Sequence, residues 1–150
     1  MTGKTTRAYE VLLRIARVRE LRAGVALGIA ARTEAARRQE VDGLTEARNA
    51  VSLAAHACAV EAVRLDVARY ALLSEMGTAL TTKLTYAQVH LDDAQLERLA
   101  RANENVIATR RVDKVADRLH TQRGADAYRL AAKRQEESVE LWVETSKEGI

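Results

Sequence analysis

The sequence predicts an all-α protein, an elongated antiparallel two-helix coiled-coil hairpin that spans residues 1–150 as a single domain. Three observations lead there. The chain has no proline, so no residue in it obliges a helix to stop. Alanine supplies 28 residues and arginine 19, and both stay in a helix at little cost. Apolar residues also recur at alternating steps of three and four, which gives a helix one apolar edge. Aromatic residues are only 3% of the chain, too few for the aromatic and β-branched strands of a sandwich or barrel.

Helix one is expected over about 6–76. Its seam reads Val41, Leu44, Arg48, Val51, Ala55, Cys58, Ala62, Leu65, Arg69, Leu72, Met76 and Ala79, with only the two arginines breaking the apolar run. The tip is expected over about 77–85. Gly77 suits the left-handed residue just past a helix end, and Thr85-Tyr-Ala-Gln88 fits a capping box. Helix two then runs over about 86–146. Its seam has three runs: Leu96, Leu99, Asn103 and Val106; Ala108, Val112, Val115 and Leu119; Tyr128, Ala132, Gln135, Val139 and Trp142. The phase shifts between them are stutters that change the supercoil locally.

Folding the chain near residue 81 pairs Leu72 with Val89, Leu65 with Leu96, Ala62 with Leu99, Val51 with Val112, Leu44 with Leu119 and Leu21 with Trp142. The chain ends support an antiparallel arrangement. Arg7, Arg14, Arg17, Arg19 and Arg22 open helix one, and Glu136, Glu137, Glu140, Glu144 and Glu148 close helix two. Each group has the wrong sign for its own helix dipole, and side by side the two groups complement each other.

Other chemistries find little support. A net charge of +3 comes from 24 basic and 21 acidic residues mixed along the chain, and aromatics that would stack on bases are scarce, so no nucleic-acid partner is expected. No run approaches the ~20 apolar residues of a membrane span, and the basic N-terminus lacks a signal-peptide core. One cysteine excludes an internal disulfide. Gly3-Lys4-Thr5 echoes the end of a phosphate loop without its earlier glycine or strand. His56 and Cys58 diverge on a helix, and Asp117 with His120 lacks a second ligand pair, so no metal or other cofactor is expected. Tyr9, Tyr70, Tyr128 and Trp142 read as packing residues, and no catalytic constellation emerges.

Three stretches carry a family resemblance: Tyr9 to Ala26, Glu75 to Val89, and Ala125 to Trp142. The first resembles the opening helix of the FliJ/YscO family, the central-stalk proteins of flagellar and virulence type III secretion. The second resembles that family's glycine-to-tyrosine hairpin tip, and the third its closing helix. The resemblance implies a non-enzymatic, cytoplasmic protein peripheral to the inner membrane, at the base of the secretion apparatus. It would insert into the hexameric secretion ATPase, link it to the cytoplasmic domain of the export gate, and handle export chaperones. Arg14, Arg17, Arg19 and Arg22 would face the ATPase ring, and Tyr86, Val89 and Leu96 would dock on the gate. The alternative is a generic coiled-coil scaffold or adaptor that homodimerises into a four-helix bundle.

Overall fold

Asp66 starts the second half of the chain. Its backbone carbonyl accepts from the Tyr70 amide at 2.9 Å, the first intrahelical bond, and its Oδ1 accepts from the Arg69 amide at 3.1 Å. That is an N-cap: the side chain satisfies one of the amides that a helix start leaves unpartnered. The computed structural model describes residues 2–60 and 66–149, and within them the chain is an all-α helical hairpin. Helix α1 spans Thr2–Val60 and α2 spans Val67–Glu148, 59 and 82 residues.

The expected tip at 77–85 is therefore corrected, because those residues lie inside α2. Gly77 has no positive φ, so it is not a left-handed cap. Thr85 caps nothing; its hydroxyl donates to the Thr81 carbonyl at 3.0 Å, and Thr78, Thr81 and Thr82 bond back one turn in the same way. In mid-helix a threonine hydroxyl takes the carbonyl one turn behind, so the same residue type no longer marks a start. Of the expected seam, Val41 to Cys58 holds as a half-buried stripe, while Arg69, Leu72, Met76 and Ala79 are exposed. Ala62 and Leu65 lie outside the described residues.

The helix contacts divide into two units, Met1–Ala23 with Asn105–Ile150, and Gly24–Glu104. In the first, Thr6 Oγ1 donates to Asp126 Oδ2 at 2.5 Å, and Arg123 Nη2 donates to Glu10 Oε1 at 2.9 Å. As one number rises the other falls, so the helices here are antiparallel. The covered positions on α1 include Thr6, Tyr9, Leu13, Ala16, Glu20 and Ala23. On α2 they include Asn105, Ala108, Val112, Val115, Leu119, Gln122 and Asp126. Ala108, Val112, Val115 and Leu119 were expected in the seam and are in it, with Leu119 only 4% exposed.

In the second unit α1 turns Leu27, Ala30, Glu34, Arg37, Val41, Leu44, Arg48, Val51, Ala55 and Cys58 inward. Helix α2 answers with Leu73, Gly77, Leu80, Leu84, Ala87, Leu91, Ala94, Arg98 and Arg101. Every step in both series is three or four, the heptad alternation of a coiled coil. Glu34 is the one charged residue that is buried among the described residues, at 8% exposed. It accepts from Arg38 at 3.0 Å on its own helix and from Arg98 Nε on α2. A charged group in a seam tolerates only a register that brings its partner opposite.

The ion pairs and hydrogen bonds correct the expected pairing. Paired numbers add to 132 for Thr6 with Asp126, 133 for Glu10 with Arg123 and 132 for Glu34 with Arg98. The expected pairs added to 161–164. Leu119 thus sits opposite the first turns of α1 rather than opposite Leu44, and Leu96, Leu99 and Val106 are exposed.

Candidate partner-binding faces

A hairpin of two helices has one seam and no second layer, so apolar side chains outside the seam stay in water. Each helix carries such residues at ordered spacing. On α2, Val89 and Leu96 are one heptad apart and Tyr86 lies three residues before Val89. All three are exposed on the side away from the seam residues Ala87, Leu91 and Ala94. The residues expected at the export gate therefore share one outward region. They lie on a continuous run of helix, starting 20 residues after Asp66, about 30 Å at 1.5 Å per residue. They do not cluster about a turn.

On α1, Val11, Ile15 and Val18 form a second outward stripe at steps of four and three, opposite Leu13 and Ala16. Arg14, Arg17, Arg19 and Arg22 are exposed. At 100° per residue Arg14 and Arg19 fall on opposite flanks of that stripe, Arg22 continues it four residues past Val18, and Arg17 lies farther round toward the seam. Of the four arginines expected at the ATPase ring, Arg14 and Arg19 thus border an apolar strip and Arg22 extends it. The sequence reading picked out the cations and missed Val11, Ile15 and Val18, although their spacing was legible as a second, phase-shifted repeat.

The expected pairing of these arginines with the C-terminal glutamates is corrected. Among the described residues none of the four is in an ion pair with Glu136, Glu137, Glu140, Glu144 or Glu148, and the cross-helix pair at this end is Arg123 with Glu10. The register explains it. Gly3 falls opposite about residue 129, so the glutamates lie past the first residues of α1. Residues 131–148 are exposed except for half-buried Ala132. Tyr128 and Trp142, expected to be packing residues, are 78% and 70% exposed. Tyr128, Ala132, Val139 and Trp142 hold heptad spacing, but the stripe lies on the side of α2 away from Leu119 and Asp126.

Between the helices of the second unit lie two solvent-open grooves. One of 390 Å³ is lined by Ala26, Ile29, Ala30, Thr33, Ala94, Glu97 and Arg101. Arg101 bonds Glu97 at 2.9 Å and Glu104 at 3.1 Å, and these two, Glu97 first, push its pKa above the usual guanidinium value. The groove keeps a fixed cation at its rim. The other, 580 Å³, runs over Gly77 between Arg48 to Ala55 and Leu73 to Thr82. Among the described residues no three His, Cys, Asp or Glu side chains converge as metal ligands, and no helix is long and apolar enough to cross a membrane. Compared with known proteins, the chain matches no family model, no curated protein and no solved structure.

Proposed function

We propose that this chain is a non-enzymatic coupling protein that works through its outer faces, as the central stalk of a type III secretion export apparatus at the cytoplasmic base of the inner membrane. The observation that supports the reading best is the pair of ordered outward faces on a helical hairpin. Each helix carries apolar residues at near-heptad spacing beyond what the seam uses, and on α1 they are bordered by arginines. Clustered apolar residues left in water mark partner sites, and tyrosine and arginine are enriched where binding energy concentrates. In this reading Arg14, Arg17, Arg19 and Arg22 meet the hexameric ATPase, and Tyr86, Val89 and Leu96 meet the export gate, with export chaperones as further partners. The gate residues sit on the flank of α2 rather than at a tip, so the gate would grip a helix side.

The test uses purified ATPase ring and gate domain. Reversing Arg14, Arg17 and Arg19 to glutamate should weaken ATPase stimulation with helicity retained. Tyr86→Ala should abolish gate binding with an unchanged melting curve, since the ring is largely in water already. Unchanged stimulation at every salt concentration, together with gate binding by Tyr86→Ala, overturns the assignment.

A further inference from the structure

In the unit that joins the start of α1 to α2, the fold sorts charges that are mixed along the sequence. Residues 3–23 and 105–130 hold twelve basic residues against five acidic, a net charge of +7, while the rest of the chain carries −4. The two sides of the seam share this charge unevenly. A residue that directly follows a seam position lies on one flank of its helix, and a residue that directly precedes one lies on the other. Glu10 follows Tyr9 and Arg123 follows Gln122, and their ion pair at 2.9 Å puts the following flanks of both helices on one side of the hairpin. The preceding flanks therefore share the opposite side. That side holds Arg19, Arg111, Lys114 and Arg118, with Arg22 at its outer edge, and all five are exposed. Leu12 and Ile15 lie among them, 49% and 44% exposed. None of the unit's five acids is there. Glu20 and Asp126 are in the seam, Glu10 and Asp113 follow seam residues, and Asp117 lies on the outer face of α2. Among the described residues none of the five cations is in an ion pair.

We infer that this side of the hairpin lies against the surface of an anionic phospholipid bilayer. Positions flanking a coiled-coil seam ordinarily pair opposite charges, as Glu10 and Arg123 do. On the other side Arg19 and Arg111 flank the seam at nearly the same level with no acid between them, a repulsion that a negative surface relieves. The neighbouring residues decide which surface. A nucleic-acid duplex would set its phosphates against Leu12 and Ile15, which offer them nothing. An acidic helix laid over the two flanks would bury the guanidinium groups of Arg111 and Arg118, at a cost recovered only where each meets an acid in good geometry. A bilayer demands neither. The cations stay in the wet headgroup layer at the ends of their long stems, and Leu12 and Ile15 reach below it. Two helices side by side also offer a broad strip to a flat surface, about 15 Å from Leu12 to Arg22. The inference does not rest on the secretion reading. Arg14 and Arg17 follow seam residues, so they lie toward the opposite side and stay clear of the lipid.

The experiment is co-sedimentation of the full chain with vesicles of phosphatidylcholine, alone or with about one-third phosphatidylglycerol, across a range of salt. The expected result is binding to the anionic vesicles only, weakening as salt screens the contact. Arg111→Glu with Lys114→Glu and Arg118→Glu should lower the partition by about a hundredfold or more, at about fivefold per basic residue. All three positions are exposed, so helicity by circular dichroism should be kept. Arg32→Glu with Arg69→Glu and Lys83→Glu changes net charge equally at exposed positions elsewhere, and should leave most of the binding in place. Trp142 is the only tryptophan, so Leu12→Trp in a Trp142→Phe chain reports the apolar contact. Its emission maximum should move to the blue on anionic vesicles. No binding to anionic vesicles overturns the inference, as does equal binding to neutral ones. An equal loss from the two charge-reversed chains also overturns it, because net charge alone would then explain the binding. So does unshifted emission from the Leu12→Trp chain, and so does tighter binding to a short DNA duplex at equal phosphate concentration, which would assign the cations to nucleic acid.

Discussion

Replacing Gly77 with alanine tests where the chain turns, because the sign of its effect depends on the answer. In the structure Gly77 is helical, and a Cβ built there would meet only Val51 Cγ1, at 3.9 Å, an ordinary van der Waals distance. Alanine is favoured over glycine inside a helix by ~0.8–1 kcal/mol. A methyl half covered by Val51 adds about 0.4 kcal/mol, half of what a buried methylene contributes. Gly77→Ala should therefore stabilise the chain by about 1.2–1.4 kcal/mol, or roughly 2–6 °C in Tm. Were Gly77 the left-handed residue of a tip, alanine would instead cost ~1–2 kcal/mol. Urea and thermal unfolding followed at 222 nm, on the order of standard helix measurements, read the difference directly. A lower Tm for Gly77→Ala would place the turn back near residue 77 and refute the register.

Two further substitutions examine the register from other sides. Glu34→Ala should cost about 2 kcal/mol, between the limits for exposed and buried pairs, because the acid is buried while Arg38 and Arg98 reach water. Glu34→Leu should recover that loss and broaden the distance distribution between spin labels on the two helices; a loss equal to that of alanine would mean the ion pair outweighs apolar contact in the seam. Asp66→Ala should cost ~1 kcal/mol as a lost cap, whereas Thr85→Ala should leave the unfolding curve within error, and the reverse order would contradict the start of α2 at Val67.

The fold class was legible because composition and heptad spacing act over tens of residues and reinforce one another. The position of the turn was not. The stripe Val41 to Cys58 continues in phase through Ala62, Leu65, Arg69, Leu72 and Met76, as if one helix ran on. The inward series of α2 begins at Leu73, one residue out of step, and periodicity alone cannot see a phase change of one residue across a turn. Glycine and threonine dominated the expectation because their turn chemistry is strong, but both also sit in helices when a seam holds them there. Asp66 carried the true signal, a lone capping residue without the glutamate or glutamine that completes a capping box. The outward faces were legible only in part. Tyr86, Val89 and Leu96 are exposed on α2, but the Tyr128–Trp142 stripe was assigned to the seam because a spacing does not say which side of a helix faces its partner.

The threonine hydroxyls that bond back along α2 have a mechanical consequence. Thr78, Thr81, Thr82 and Thr85 each add an acceptor load to a carbonyl that already holds the helix ladder, at Ser74, Gly77, Thr78 and Thr81. Shared carbonyls lengthen the ladder bonds on one side and favour a bend. Helix α2 thus has a section of little more than two turns in which four such bonds fall together and bending is favoured. A lateral force would be absorbed as curvature there first, and twist applied beyond that section would be delivered in part as bending rather than rotation.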